Sequence, residues 1–149
     1  MNIRFVVGLA VAATTGGLLG SALRAQGQSA TAGGVTVTSG VYTSGQAKRG
    51  QAIYVDACAK CHIEDLSGGK DSPPLVGDDF LGGWKGKSVG DLFDEVRMTM
   101  PFDNPGKLTA EQYSDVIAYI FSANKFPAGD KELDHDTAPL QKIQIVKPS

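Results

Sequence analysis

The sequence predicts an all-α domain: three main helices joined by long loops that wrap a large apolar object. Three observations predict it. Three stretches, beginning near residues 44, 88 and 109, repeat apolar residues at helical spacing behind a capping hydroxyl. Residues 66–87 are broken by glycine and proline and are long for a connection in a domain of this size. No run alternates for long enough to be a strand; Val35-Thr36-Val37-Thr38 is too brief to claim as one.

The first helix is expected from Thr43 or Ser44, either of which can cap it, to about Cys58, with Ala47, Gly50, Tyr54 and Ala57 on one face. Glycine in mid-helix costs about 1 kcal/mol relative to alanine, so Gly50 suggests close packing against another backbone or ring. Leu66 to Lys87 reads as loop, punctuated by Gly68-Gly69, Pro73-Pro74, Gly77, Gly82-Gly83 and Gly86. Ser88 caps the second helix, Asp91 favours its dipole, and Val89, Leu92, Phe93 and Val96 form its apolar face. Pro101 stops it and pushes Met100 out of helical geometry. Thr109 caps the third helix, with Gln112 completing a capping box and Leu108 placed to staple against Tyr113. Val116, Ile117, Tyr119, Ile120 and Phe121 follow, and Asn124 to Pro127 end it.

The flanks read differently. Residues 1–25 have the order of a secretory signal: Arg4, an uncharged stretch Phe5 to Leu23, then Ser21-Ala22-Leu23-Arg24-Ala25 with small residues for cleavage after Ala22 or, preferably, Ala25. An uncleaved membrane anchor is the alternative, weakened by the glycines and threonines that dilute the stretch. Residues 26–40 read as a flexible leader and 128–149 as a polar tail, leaving 41–127 as the folded domain. Without Arg4 and Arg24 the chain has 12 basic and 16 acidic residues, a net charge of −4. That balance argues against nucleic acid or an anionic membrane as partner and permits a partner with a basic patch.

The two cysteines fall in one motif, Cys58-Ala59-Lys60-Cys61-His62, so they cannot staple distant segments. A Cys-x-x-Cys-His run reads as attachment of one covalent haem c: the thiols add across the two vinyl groups, and His62 binds the iron. Zinc would need more ligands, and His135 is the only other histidine. A redox disulfide would call for a strand–helix alternation that is absent. For the second axial position Met100, in a loop before Pro101, is favoured over Met98, with His135 behind both. Histidine–methionine ligation fills both axial positions and favours electron transfer over oxygen or peroxide chemistry. The haem supplies the apolar centre that so few core residues lack, and a cavity is expected beside Cys58, Cys61 and His62.

From about Ser44 to Pro127 the chain resembles the class I cytochrome c family. The likeness rests on Arg49-Gly50 with Tyr54 and the Cys58–His62 motif, then Pro73-Pro74-Leu75-Val76-Gly77, then Met100-Pro101, then Leu108-Thr109 through Tyr113 to Ile117-Ala118-Tyr119-Ile120. It implies that the first helix crosses the third at Gly50. It implies that the Pro73 carbonyl accepts a hydrogen bond from His62, and that Leu75 packs on the haem. Trp84 is expected either to offer its indole N–H to a propionate or simply to pack. The leader and tail have no counterpart in a minimal member, and the surface lacks a lysine ring. Trp84, Asp91-Leu92-Phe93 and Asn124 to Gly129 look most like bacterial cytochromes associated with quinoprotein (PQQ) alcohol dehydrogenases. The resemblance thus implies a periplasmic electron carrier rather than an enzyme. Its donor would be such a dehydrogenase and its acceptor an oxidase or another cytochrome; the alternative is that the chain is itself the dedicated electron-accepting haem subunit of a quinoprotein alcohol dehydrogenase. A haem enzyme or gas sensor is the remaining alternative and requires an open iron position.

Overall fold

In a computed structural model that describes residues 34–148, the glycine flagged in the first helix sits at the closest crossing of the domain. Helix α1 (Ser44–Ala57) and helix α5 (Ala110–Ala123) meet so tightly that a Cβ at Gly50 would overlap the Asp115 carbonyl. The Tyr54 and Tyr119 rings pack beside this crossing, with centroids 5.3 Å apart and planes tilted by 56°. Immediately before Gly50, Arg49 forks onto both Asp115 oxygens, at 2.9 and 3.0 Å, and onto Glu132. Buried Gln46 bridges Ser114 on α5 and the backbone of Leu133.

A one-turn helix, α2 (Ala59–His62), follows α1 directly, and α4 (Val89–Thr99) completes the expected set. Thr43, Ser88 and Thr109 cap α1, α4 and α5 through their side chains, and Asp91 and Gln112 close capping boxes on the last two. Met100, at the end of α4, has extended geometry (φ −124°, ψ 152°). The segment expected as loop from 66 to 87 contains a further helix, α3 (Gly77–Trp84). Its glycines lower helix propensity, but Phe80 and Leu81 are buried and Asp78 and Asp79 complement the dipole of its first turn. Asn124 closes the site where α3 starts: its amide oxygen accepts from the Gly77 N–H at 2.9 Å, and its Nδ2 donates to the Leu75 carbonyl at 2.8 Å.

The flanks correct the sequence expectation as well. The described end of the supposed leader, Val35–Thr36 (β1), pairs in parallel with Ile143–Gln144 (β2), in the register Val35 to Ile143 and Thr36 to Gln144. Val37, Leu133, Leu140 and Ile145 are buried. The Gly129 N–H donates to the Tyr42 carbonyl at 2.7 Å, while the Tyr42 hydroxyl donates to the Phe126 carbonyl at 2.6 Å. Gly40 and Gly129 approach so closely that a side chain at Gly129 would strike the Gly40 carbonyl. Helix α6 (Thr137–Leu140) lies on α4, joined by Thr137 to Asp94, Ser88 to Gln141 and Gln141 to Asp91. The folded body therefore includes both 35–40 and 128–146, since the burial of scattered apolar residues outweighs the polar character of these stretches. Residues 1–33, and with them the signal or anchor expected at 1–25, lie outside the described residues. Among the described residues no helix is long and apolar enough to cross a membrane.

Candidate functional site

The turn from α1 into α2 places the motif. Cys58 leaves helical geometry (φ −123°, ψ −35°), and its carbonyl accepts from the N–H groups of Cys61 at 3.1 Å and His62 at 3.0 Å. Both cysteines and the histidine are thus gathered on a single tight turn. His62 is 7% exposed, and its Nδ1 lies 2.9 Å from the Pro73 carbonyl. A carbonyl can only accept, so Nδ1 carries the proton and Nε2 is the ring nitrogen with a free lone pair. The Gly68 N–H donates to the His62 carbonyl and the Leu75 N–H to the Leu66 carbonyl, which folds the 66–76 loop back onto the motif. The Tyr54 hydroxyl donates to the Ile63 carbonyl at 2.7 Å, and burial pushes this phenol well above its ordinary pKa.

These residues line a cavity of about 500 Å³. Every main helix contributes to it: Tyr54 and Ala57 from α1, Phe80 and Trp84 from α3, Leu92 and Val96 from α4, Val116 and Ile120 from α5. Pro73, Leu75 and Met100 also line it. The volume falls within the roughly 300–1,000 Å³ of cofactor sites, and the lining is largely apolar with few polar groups. An apolar cavity carrying two thiols and an imidazole with its Nε2 free suits a covalently attached haem. The other chemistries considered for the cysteine pair fit less well. Burial, followed by the charge of Cys61, pushes the Cys58 thiol up to about 11, whereas a redox-active cysteine needs a lowered pKa. Among the described residues no three His, Cys, Asp or Glu side chains converge to hold a metal ion.

The three candidates for the second axial ligand separate clearly. Met100 lines the cavity; Met98 does not, and is 63% exposed on the outside of α4. His135 lies in a different, polar crevice beside Gln46 and Arg49, with Nε2 3.8 Å from Glu111. Trp84 is half-buried in the cavity wall with the Lys87 ammonium 4.6 Å from its ring centroid. Phe102, 85% exposed, also lines the cavity, as do the exposed Lys60, Asp71, Glu95 and Asp103.

Two contributors had no sequence signal of function. Phe80 was hidden by the glycines around it. Tyr113, read as a staple residue, sends its hydroxyl to the Met100 carbonyl at 2.7 Å. The phenol is buried and so needs a partner for its hydroxyl, but that burial shows only in the fold.

No curated protein matches the chain. Among solved structures it is similar to the crystal structure of the sulfane dehydrogenase SoxCD from Paracoccus pantotrophus, at 19% identity and a TM-score of 0.49. That match covers 72% of this chain and 62% of the other, so the chain spans less than two thirds of its length. The family described as "Cytochrome C oxidase, cbb3-type, subunit III" matches residues 45–120, the stretch that runs from the start of α1 through the haem motif and Met100 to Ile120. With that match over the residues that build the cavity, the chain belongs to this family of c-type cytochromes, has the all-α class I fold, carries haem c covalently, and serves electron transfer.

Proposed function

We propose that this chain is an exported, periplasmic monohaem cytochrome that passes single electrons between redox proteins. The observation that carries the reading is the position of Met100: of the three candidate ligands, it alone shares a cavity with Cys58, Cys61 and His62. When bound, the haem supplies a one-electron ferrous–ferric couple. Cys58 and Cys61 would hold it by thioether bonds, and His62 would offer Nε2 to the iron. Pro73 fixes the His62 ring and raises its basicity by accepting from Nδ1. Met100, on the same cavity, would offer its thioether as the second protein ligand, and an iron so filled would be closed to small gases and peroxide. Leu75, Phe80 and Trp84 exclude water from the cavity.

The exposed acids of the cavity lining, Asp71, Glu95 and Asp103, outnumber Lys60 and favour partners that present a basic face, through a small and transient contact. A quinoprotein dehydrogenase as donor, and an oxidase or second cytochrome as acceptor, are the partners that the resemblance implies. The test is optical and mass analysis of the exported protein. The reduced form is expected to give a sharp low-spin c-type spectrum that carbon monoxide leaves unchanged, with one haem per chain and cleavage after Ala25. Rapid carbon monoxide binding at neutral pH would overturn the six-coordinate carrier.

A further inference from the structure

The stretch that carries Met100 has little to hold it. Residues 102–107 are exposed, and the backbone bonds at Asn104 to Pro101 and Lys107 to Asn104 are local turns. Met100 itself is fixed at two points. Its N–H donates to the Val96 carbonyl at 2.8 Å, the last helical bond of α4. Its carbonyl accepts from the Tyr113 hydroxyl at 2.7 Å.

Tyr113 is a firm anchor. It is 1% exposed, and its own N–H donates to the Thr109 carbonyl at 3.0 Å, within the capping box that starts α5. The hydroxyl is held by a buried ring on a helix that is itself locked to α1 at Gly50. Its bond thus ties the end of α4 to the most rigid crossing in the fold.

We propose that Tyr113 is a positioning residue for the iron ligand Met100: its hydroxyl fixes the backbone at Met100 so that the thioether stays in the cavity and resists displacement. This rests on the reading of Met100 as the sixth ligand. Tyr113 does not touch the haem in this role; it acts through the peptide carbonyl of the ligand.

The holoprotein tests it, with imidazole as a competing ligand for the ferric form and the methionine-to-iron charge-transfer band as the spectroscopic readout. Tyr113→Phe keeps the ring and removes only the donor. Its imidazole affinity should rise about tenfold over wild type, the scale of one lost hydrogen bond, and its charge-transfer band should weaken. Tyr42→Phe is the matched comparison. It also deletes a buried phenol hydroxyl bonded to a carbonyl, that of Phe126, but away from Met100. It should lower stability and leave imidazole affinity unchanged. An unchanged affinity in Tyr113→Phe overturns the proposal, as does an equal rise in both variants, which would mark a general loosening of the fold. Met100→Ala separates this from the reading beneath it. If that variant binds imidazole like wild type and keeps the band, Met100 is not the ligand, whatever Tyr113→Phe does.

Discussion

The two walls of the haem cavity are built on different principles. The His62 wall is local. Cys58, Cys61 and His62 share one turn, Gly68 and Pro73 return to His62 across no more than eleven residues, and Leu75 closes the loop on Leu66. The Met100 wall is assembled from afar. Tyr113 reaches back from α5, and α4 is tied near its N-terminus to Gln141 through Asp91 and at mid-helix to Thr137 through Asp94, while the Lys87 carbonyl accepts from the Ile145 N–H. A local wall can form as soon as its own segment is ordered. A wall of long-range contacts stands only when the whole chain is folded, because each contact must offset the entropy of closing a long loop. The proposed covalent ligand set would thus sit on the side that needs least help, and Met100, the proposed sixth ligand, on the side that needs most.

The largest effect should come from striking the local wall. His62→Ala removes a ligand outright, where deleting only an outer partner of a ligand costs about 10–100-fold in metal affinity. Low-spin holoprotein should fall by at least about a hundredfold, measured as haem spectrum per mole of exported chain. A variant that kept the wild-type low-spin spectrum would remove His62 from the ligand set.

The next effect should fall on the distant wall alone. Leu140, fully buried in α6, packs the tail against α4. Leu140→Ala should lower unfolding free energy by about 2–5 kcal/mol, read by denaturant titration of the holoprotein. Haem attachment should stay complete, because the hydrogen bonds that fold 58–76 onto itself do not involve the tail. Loss of attachment matching that of His62→Ala would abolish the distinction between the walls.

Legibility in sequence follows the same division. The caps at Thr43, Ser88 and Thr109, the Cys58–His62 turn and the role of Gly50 were all readable, because each is a short pattern with one physical meaning. The bond from His62 to Pro73 came through the family likeness, and it too spans few residues. What was unreadable depended on distance. Leu133 and Leu140 stand singly among polar residues and fit no helical or strand period; Ile143-Gln144-Ile145-Val146 is an apolar run that could lie back on the domain, but nothing in its pattern says where. Helix α3 was concealed for a related reason: Gly77, Gly82 and Gly83 argue locally against a helix, and only the tertiary burial of Phe80 and Leu81 overrules them. Tyr113 and Met100 are thirteen positions apart, and a side chain bonding a backbone carbonyl leaves no residue pattern at either end.

The smallest effect concerns Asp91, which sharpens the comparison through pH. The Ser88 backbone N–H donates to its carboxylate at 2.9 Å, and the Ser88 hydroxyl and the Gln141 amide also contact it. These contacts, the backbone donor first, hold the Asp91 carboxyl below its ordinary value. A carboxyl depressed in the folded state contributes fully above its unfolded pKa, near ~3.9, and loses that contribution as pH falls through the folded value. The group is exposed at the helix start, so the contribution is at most about 1 kcal/mol. Asp91→Asn should therefore be slightly less stable than wild type at pH 7, and the gap should close as the solution is acidified below the ordinary carboxylate range. Denaturant unfolding of both proteins at a series of pH values measures it. A gap that stays constant into strong acid would mean that Asp91 acts by shape and hydrogen-bonding pattern alone. The hold of the tail on α4 would then be independent of charge.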